Sequence, residues 1–544
     1  MKSIITKDFG ITNAQNFEQM ITLPLANVFI LIGRTSPWPN TANSDLLDDV
    51  TIPDPYDTTN YRYSALNAGL VIKRVTNSDV QAVIPRIDWV SGNVYVAYDQ
   101  TLNLFSKTAE TLIAGGNVNV SVLSLQTVNS ASINLAASDP SLSVGSFIKV
   151  GSETKEVVSI NAVGDFLTVN TPFTGAYTQN NLYKLVTSEP YYANQFYVRN
   201  NVDQVFKCLD NNNSANSTSM PEIGLGGQLP ENPYIETDDG YKWKYMYTIS
   251  TGVKNKFFTD KYMPVIKDQV VYDSAVNGRI DIIDIIDGGS GYFNGSSVNN
   301  YAILTVSGDG SGANVTADIV DGEIVNINFL DGGQDYTTAT VTIDDPLRLT
   351  TSPGNTANLR VVISPQFGHG FDPVRELGAS DQMISVDFTA DEDGVIPTAS
   401  DGTDTFREIA ILKNPQFTAN SEYATGSIYP MYTKIYTSNP PVDFAHSSTI
   451  YAGPSYAEAT FIAHVIHFDN DTNVLSVNRI TGNVDAVISQ TIYQKDNPSA
   501  AASVYSIEKP DINIFTGELL YMQNRAKITR SLDQTETLKL VVEF

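Results

Sequence analysis

The chain closes on TGELLYMQNRAKITRSLDQTETLKLVVEF, Thr516 to Phe544. Gly517-Glu518-Leu519-Leu520-Tyr521 opens it, Asn524-Arg525 reads as a turn, and the last run sets Leu538, Leu540 and Val542 against Lys539 and Glu543. That alternation is the period-two signature of a strand with one buried face. A terminal strand needs partners upstream. Two segments have the matching character, Asn27-Val28-Phe29-Ile30-Leu31-Ile32-Gly33-Arg34 and Phe406-Arg407-Glu408-Ile409-Ala410-Ile411-Leu412. The reading predicts that both ends of the chain and a middle segment share one sheet core.

Composition sets the fold class. At 544 residues the chain exceeds one hydrophobic core, and about 150 residues per domain implies three or four packed units. Asn, Thr, Ser, Gly and Tyr are abundant and helical Lys/Glu runs are scarce, which favours an all-β fold with few short helices. The expected architecture is a β-sandwich-like core carrying inserted small β modules. A formal charge of -27 argues against nucleic acid and anionic membrane as partners, because affinity for phosphate rests on Lys and Arg. Cys208 is the only cysteine, so no disulfide within the chain and no Cys-rich zinc site is expected. The apolar run from Leu23 to Ile32 falls short of the roughly 20 residues that span a bilayer, and the N-terminus has no signal-peptide h-region.

Along the chain, Asn13 to Ile21 reads as a short helix, and Gly33-Arg34-Thr35-Ser36-Pro37-Trp38-Pro39-Asn40 as a stiff loop presenting Trp38. Val94, Val96 and Tyr98 alternate as a strand would. Texture then shifts three times. Residues 106–186 are poor in aromatics; 277–363 hold an internal repeat, Ile285-Ile286-Asp287-Gly288-Gly289-Ser290-Gly291-Tyr292 echoed by Phe329-Leu330-Asp331-Gly332-Gly333-Gln334-Asp335-Tyr336; 416–513 carry hairpin-like runs. These are three expected β modules. The remaining segments, 1–105, 187–276, 364–415 and 514–544, form an expected discontinuous core. Pro346 and Pro365 suit linkers, and aromatic-rich sequence resumes at Tyr191-Tyr192 and peaks at Tyr241, Trp243, Tyr245 and Tyr247, which alternate as one strand face would.

Motifs of chemistry are weak throughout. Ser307-Gly308-Asp309-Gly310-Ser311-Gly312 is followed by a strand pattern instead of a helix, so it reads as a hairpin turn and not a phosphate loop. His464 and His467, three apart on a strand, point to opposite faces. Asp469, Asp471 and Asn473 begin like a calcium loop, but Val474 and Ile480 stand where Gly and Glu belong. His369, Asp372 and Glu376 are the densest acid/base grouping, which a capped turn explains equally well. No nucleophile elbow exists. No catalytic, metal or cofactor-binding residue is assigned, and no cofactor is expected.

Several of these segments, taken in order, resemble the baseplate wedge subunit family known as gene product eight in T-even-type contractile-tailed bacteriophages. The resemblance rests on Ile32-Gly33-Arg34 with Ser36-Pro37-Trp38; Ala82-Val83-Ile84-Pro85-Arg86 with Asp88-Trp89; Asp239-Gly240-Tyr241 with Trp243 and Tyr245; Phe406-Arg407 with Ile409 and Asn414-Pro415; Gly517-Glu518 through Tyr521-Met522 with Asn524-Arg525; and Leu532-Asp533-Gln534-Thr535-Glu536. It covers the core segments and not the three shifted stretches. It implies a non-enzymatic virion protein of the tail baseplate, assembled in the host cytoplasm, that forms a homodimer and joins wedge subunits resembling those numbered six, seven and ten. Arg34, Trp38, Arg86, Asp88, Trp89, Tyr241, Trp243, Tyr521, Asn524 and Arg525 become the expected assembly or core anchors. Two readings from other classes stand beside it: a host-surface glycan adhesin, and a tail glycan hydrolase or lyase, which needs a carboxylate pair about 5 to 10 Å apart.

Overall fold

The computed structural model describes residues 7–23, 26–39, 49, 51–100, 196–224, 234–292, 300–343, 355–398 and 404–544, with short stretches between 122 and 185. The fold is mainly β. The chain forms two compact units, one of Met1–Ile84, Ile249–Ile266 and Val374–Phe544, the other of Pro85–Thr248 and Lys267–Pro373. The expected core segments are shared out between the two. Expectations for Asn40, Tyr191-Tyr192 and Pro346, and the boundaries at 105/106 and 186/187, fall outside the described residues.

In the first unit a five-stranded sheet runs in spatial order Ile428–Pro430, Gly69–Arg74, Val28–Gly33, Thr405–Lys413 and Glu518–Thr529. Segments from the start, middle and close of the chain are therefore neighbours, with Phe29 opposite Leu412 and Ile411 opposite Tyr521. Val28–Gly33 is buried along its whole length because both faces are covered: Ile30 and Ile32 join one cluster with Ile409 and Ile411, while Phe29 and Leu31 join another with Ala410 and Leu412. A continuous apolar run is what a strand covered on both faces requires.

Two details correct the reading of the C-terminal stretch. Asn524-Arg525 is not a turn; both lie inside Glu518–Thr529, where Phe406 pairs with Ile528 but Glu408 with Asn524, so the strand bulges. Tertiary bonds override the turn preference, since Asn524 Nδ2 donates to Pro53 O at 2.6 Å and Tyr61 Oη at 2.5 Å. The alternating run, Thr535–Glu543, lies in the next sheet, ordered Tyr262–Pro264, Val80–Pro85, Asp381–Thr389, Thr535–Glu543. Ile384, Val386, Phe388 and Leu540 of that sheet share a core with Ile30, Ile32 and Ile409 of the first, which makes the pair a sandwich.

The helix expected from Asn13 begins at Lys7 and ends at Thr22, burying Ile11, Ala14, Phe17 and Ile21 along one face. Gly10, a poor helix residue, is explained by the chain's far end: a Cβ there would lie 2.6 Å from the Phe544 carbonyl oxygen. Within 416–513, six strands close into a barrel, Thr433–Thr437, Val474–Gly482, Phe461–Asp469, Thr449–Ala452, Thr491–Gln494 and Asn497–Glu508. Ile435, Ile450, Val465, Leu475, Ile492 and Val504 fill it. Closure leaves no free edge in this lobe.

In the second unit, Tyr197–Arg199, Gln204–Asp210, Lys242–Thr248 and Ile235–Glu236 form a sheet. Tyr241, Trp243 and Tyr245 share a cluster with buried Cys208, and a bulge at Val205/Phe206 precedes the pairing of Tyr247. Val94, Val96 and Tyr98 form no strand. The buried residues there are Tyr95, Ala97 and Tyr98, which do not alternate; Tyr95 packs edge-on against Trp243 at 5.5 Å and its hydroxyl donates to Val90 O, while Val94 is exposed. The strands between Val122 and Leu185 join in a six-stranded sheet.

The internal repeat is reciprocal in space. Ile280–Asp287 pairs with Asn358–Ile363 as Glu323–Gln334 pairs with Ser311–Val320. In each copy an Asp caps its own turn, Asp287 Oδ1 accepting from Gly289 N at 2.8 Å and Asp331 Oδ1 from Gly333 N at 2.9 Å. Each copy then gives its tyrosine to the other: Tyr292 N donates to Gly322 O, Tyr336 N to Gly278 O, and both rings enter one core. Gly289 and Gly333 hold φ of +69° and +65°, and a Cβ on either would meet backbone nitrogen at 2.6 and 2.5 Å. Only glycine fits both demands.

Among the described residues no helix is long and apolar enough to cross a membrane.

Candidate functional site

The charged residues of the sandwich's first sheet converge on a buried junction. Arg34 leaves its strand at φ +54°, a conformation uncommon outside glycine, and lays its guanidinium 3.9 Å above the Trp38 ring. Trp38 is 2% exposed; its backbone N–H donates to Asp49 Oδ1 at 2.8 Å and its indole N–H to Arg525 O at 2.9 Å. Asp49 in turn grips Arg407 with both oxygens, Nε at 2.8 Å and Nη2 at 2.7 Å, and Arg407 Nη1 donates to Thr35 O and Thr405 Oγ1. Burial acts to raise the Asp49 carboxyl, but the guanidinium and the Trp38 N–H outweigh it and hold the group below the usual carboxylate range.

The barrel reaches into the same place. Asn478 Nδ2 donates to Ala68 O at 3.0 Å, Ile480 N to Asn67 Oδ1 at 3.0 Å, and Arg479, at φ +49°, sends Nη1 to Ser36 Oγ at 2.8 Å. Burial lowers the Arg34 pKa to about 10 despite Glu408, lowers that of Arg479, and raises that of Glu408. His464, on the barrel strand facing this junction, is pushed down to about 3 by burial and by Arg479 and so stays neutral. Glu408 Oε2, Arg34 Nε and Thr35 Oγ1 are buried with no hydrogen-bond partner.

Of the expected anchors, Arg34, Trp38, Asn524 and Arg525 thus meet in the first unit. Tyr521 is apart from them. It is 38% exposed and lines a groove of about 290 Å³ with Pro55, Tyr56, Arg62, Leu520 and Met522. Arg86, Asp88, Trp89, Tyr241 and Trp243 belong to the second unit. There Asp88 accepts from Arg86 Nε at 2.8 Å and Arg199 Nε at 2.7 Å, and Trp89 Nε1 donates to Ser217 Oγ at 3.0 Å. Tyr241 stacks on Trp243 at 5.4 Å, with its hydroxyl donating to Ala215 O. Asp239, of the Asp-Gly-Tyr segment, accepts from Thr218 N, Ser219 N and Thr237 Oγ1; burial pushes its pKa up, and these bonds bring it below the usual range.

Sequence reasoning missed Asp49, Glu408, Arg479 and Arg199. Its one available signal was Arg407-Glu408 inside an apolar strand, since charges survive there only with partners. The other motifs resolve simply. Gly310 sits in the hairpin between Asn300–Gly308 and Ser311–Val320. Asp469 caps its hairpin by accepting from Asp471 N and Thr472 Oγ1. His369 faces Asp281 at 3.0 Å, a carboxylate outside the expected Asp372 and Glu376 grouping. Among the described residues no three His, Cys, Asp or Glu side chains are grouped to hold a metal ion. No protein-family model and no curated protein matches the chain.

Proposed function

We propose that this chain is a structural subunit of a phage tail baseplate wedge, a homodimeric connector that assembles with wedge proteins resembling those numbered six, seven and ten. One observation carries the reading. Segments that bear the resemblance, although hundreds of residues apart, interlock side chain to backbone, Trp38 with Arg525 and Arg407 with Thr35. The 32–38, 406–415 and 517–525 members of the series bond into one frame in the first unit, which supports the reading, while the 86–89 and 239–245 members belong to the second unit.

The role is mechanical. A sandwich with a closed barrel docked through polar bonds transmits rotation as a body, and interfaces on such bodies repack between discrete arrangements when the tail contracts. Co-expression with the neighbouring tail genes tests it. A stoichiometric complex on sizing and light scattering is expected. A chain that stays solitary with every neighbour sinks the reading, and glycan binding by the isolated chain would then favour the adhesin.

A further inference from the structure

Among the described residues, cations outnumber carboxylates at the junction. Arg34, Arg407 and Arg479 face Asp49 and Glu408, and His464 is neutral. Asp49 and Arg407 close on each other with two hydrogen bonds, which leaves, among the described residues, the Arg34 and Arg479 guanidinium groups to the Glu408 carboxylate. Among the described residues, the carboxylate that acts most strongly on Arg34 is Glu408, while Arg479 and Arg407 act against it. Glu408 is 3% exposed and Arg34 8%; Arg34 Nη2 donates to Pro37 O at 3.3 Å, but the buried Arg34 Nε–H donates nothing and the buried Glu408 Oε2 accepts nothing. A buried N–H left without an acceptor costs about 1–3 kcal/mol, and a guanidinium fork matches two oxygens of an oxyanion.

We propose that Arg34 and Arg479, with the Ser36 hydroxyl, bind a small oxyanion of the carboxylate or phosphate type at the joint between sheet and barrel. Arg479 is the group through which it enters, being only partly buried. The ion would tie barrel to sheet, since Arg34 belongs to the sheet and Arg479 to the barrel. The proposal does not rest on the baseplate reading. The oxyanion is either a free ion or an Asp or Glu side chain of a bound partner.

Thermal unfolding of the full chain, with acetate or phosphate titrated against chloride at fixed ionic strength and pH, tests it. A saturable rise of roughly 2 °C or more is expected with acetate or phosphate and not with chloride. Arg479→Gln should abolish the saturable part, and Glu408→Gln, which removes the competing charge, should lower the half-saturating concentration several-fold. A rise that is absent, or equal in wild type and Arg479→Gln, overturns the proposal and leaves ordinary buried water as the partner of these groups. Repeating the titration on the purified wedge complex separates the sources: the response persists if the ion is free and disappears if a partner carboxylate holds the site. Failure of the complex to form bears on the baseplate reading alone.

Discussion

His464 shows what a single buried group does to the whole. Its folded pKa of about 3 lies below the ordinary 6.5, so between those values the unfolded chain binds the extra proton and the folded chain does not. Stability is full above pH 6.5 and falls with acid at up to about 1.4 kcal/mol per pH unit. Replacing His464 by Gln should flatten that loss, read as urea midpoints between pH 7 and 4. Asp49→Ala strands Arg407, which is 3% exposed, and should cost a sum toward the lower end of ~3–5 kcal/mol. Because the cost is that of an orphaned charge, Asp49→Ala with Arg407→Met should recover most of it in equilibrium unfolding.

Elements are where local preference and tertiary demand part company. The two Asp-Gly-Gly turns were legible as a repeat, and the reciprocal exchange of Tyr292 and Tyr336 explains why each copy keeps the same residues. Gly289→Ala and Gly333→Ala meet equivalent backbone obstruction and should each destabilise by about 1–3 kcal/mol. Unequal losses in hydrogen exchange of Ile280–Asp287 and Glu323–Gln334 would count against the symmetry. At the N-terminal helix, Lys7 Nζ donates to Ser380 Oγ at 2.6 Å, which donates to Asp381 Oδ1 at 3.1 Å. Burial raises Asp381 to about 6, so its ionised form is disfavoured in the fold and stability declines as pH climbs from 3.8 to 6. Asp381→Asn should therefore raise the Tm at pH 7.5 and do little at pH 4, measured by calorimetry. The Asn524-Arg525 turn and the Val94 strand were misread for one reason: propensity describes a short window, while Pro53, Tyr61 and Trp243 lie far outside it.

For the molecule as a whole, a charge of -27 on 544 residues sets self-repulsion against cohesion. Added sodium chloride should raise the Tm until screening is complete near 0.5 M, where the Debye length is roughly 4 Å. A flat response would show that the charges are already locally paired. By itself the sequence determined the β class, the strands at 28–33 and 405–413, the repeat, and the hairpin turn around Gly310, because periodicity, turn chemistry and composition act within a few residues. Only the tertiary structure decided that Trp38 finds its acceptor in Arg525, that Asp49 neutralises Arg407, and that Arg479 crosses from barrel to sheet. Those bonds join positions hundreds of residues apart, and a low-dielectric interior makes each charge depend on which partner the fold delivers to it.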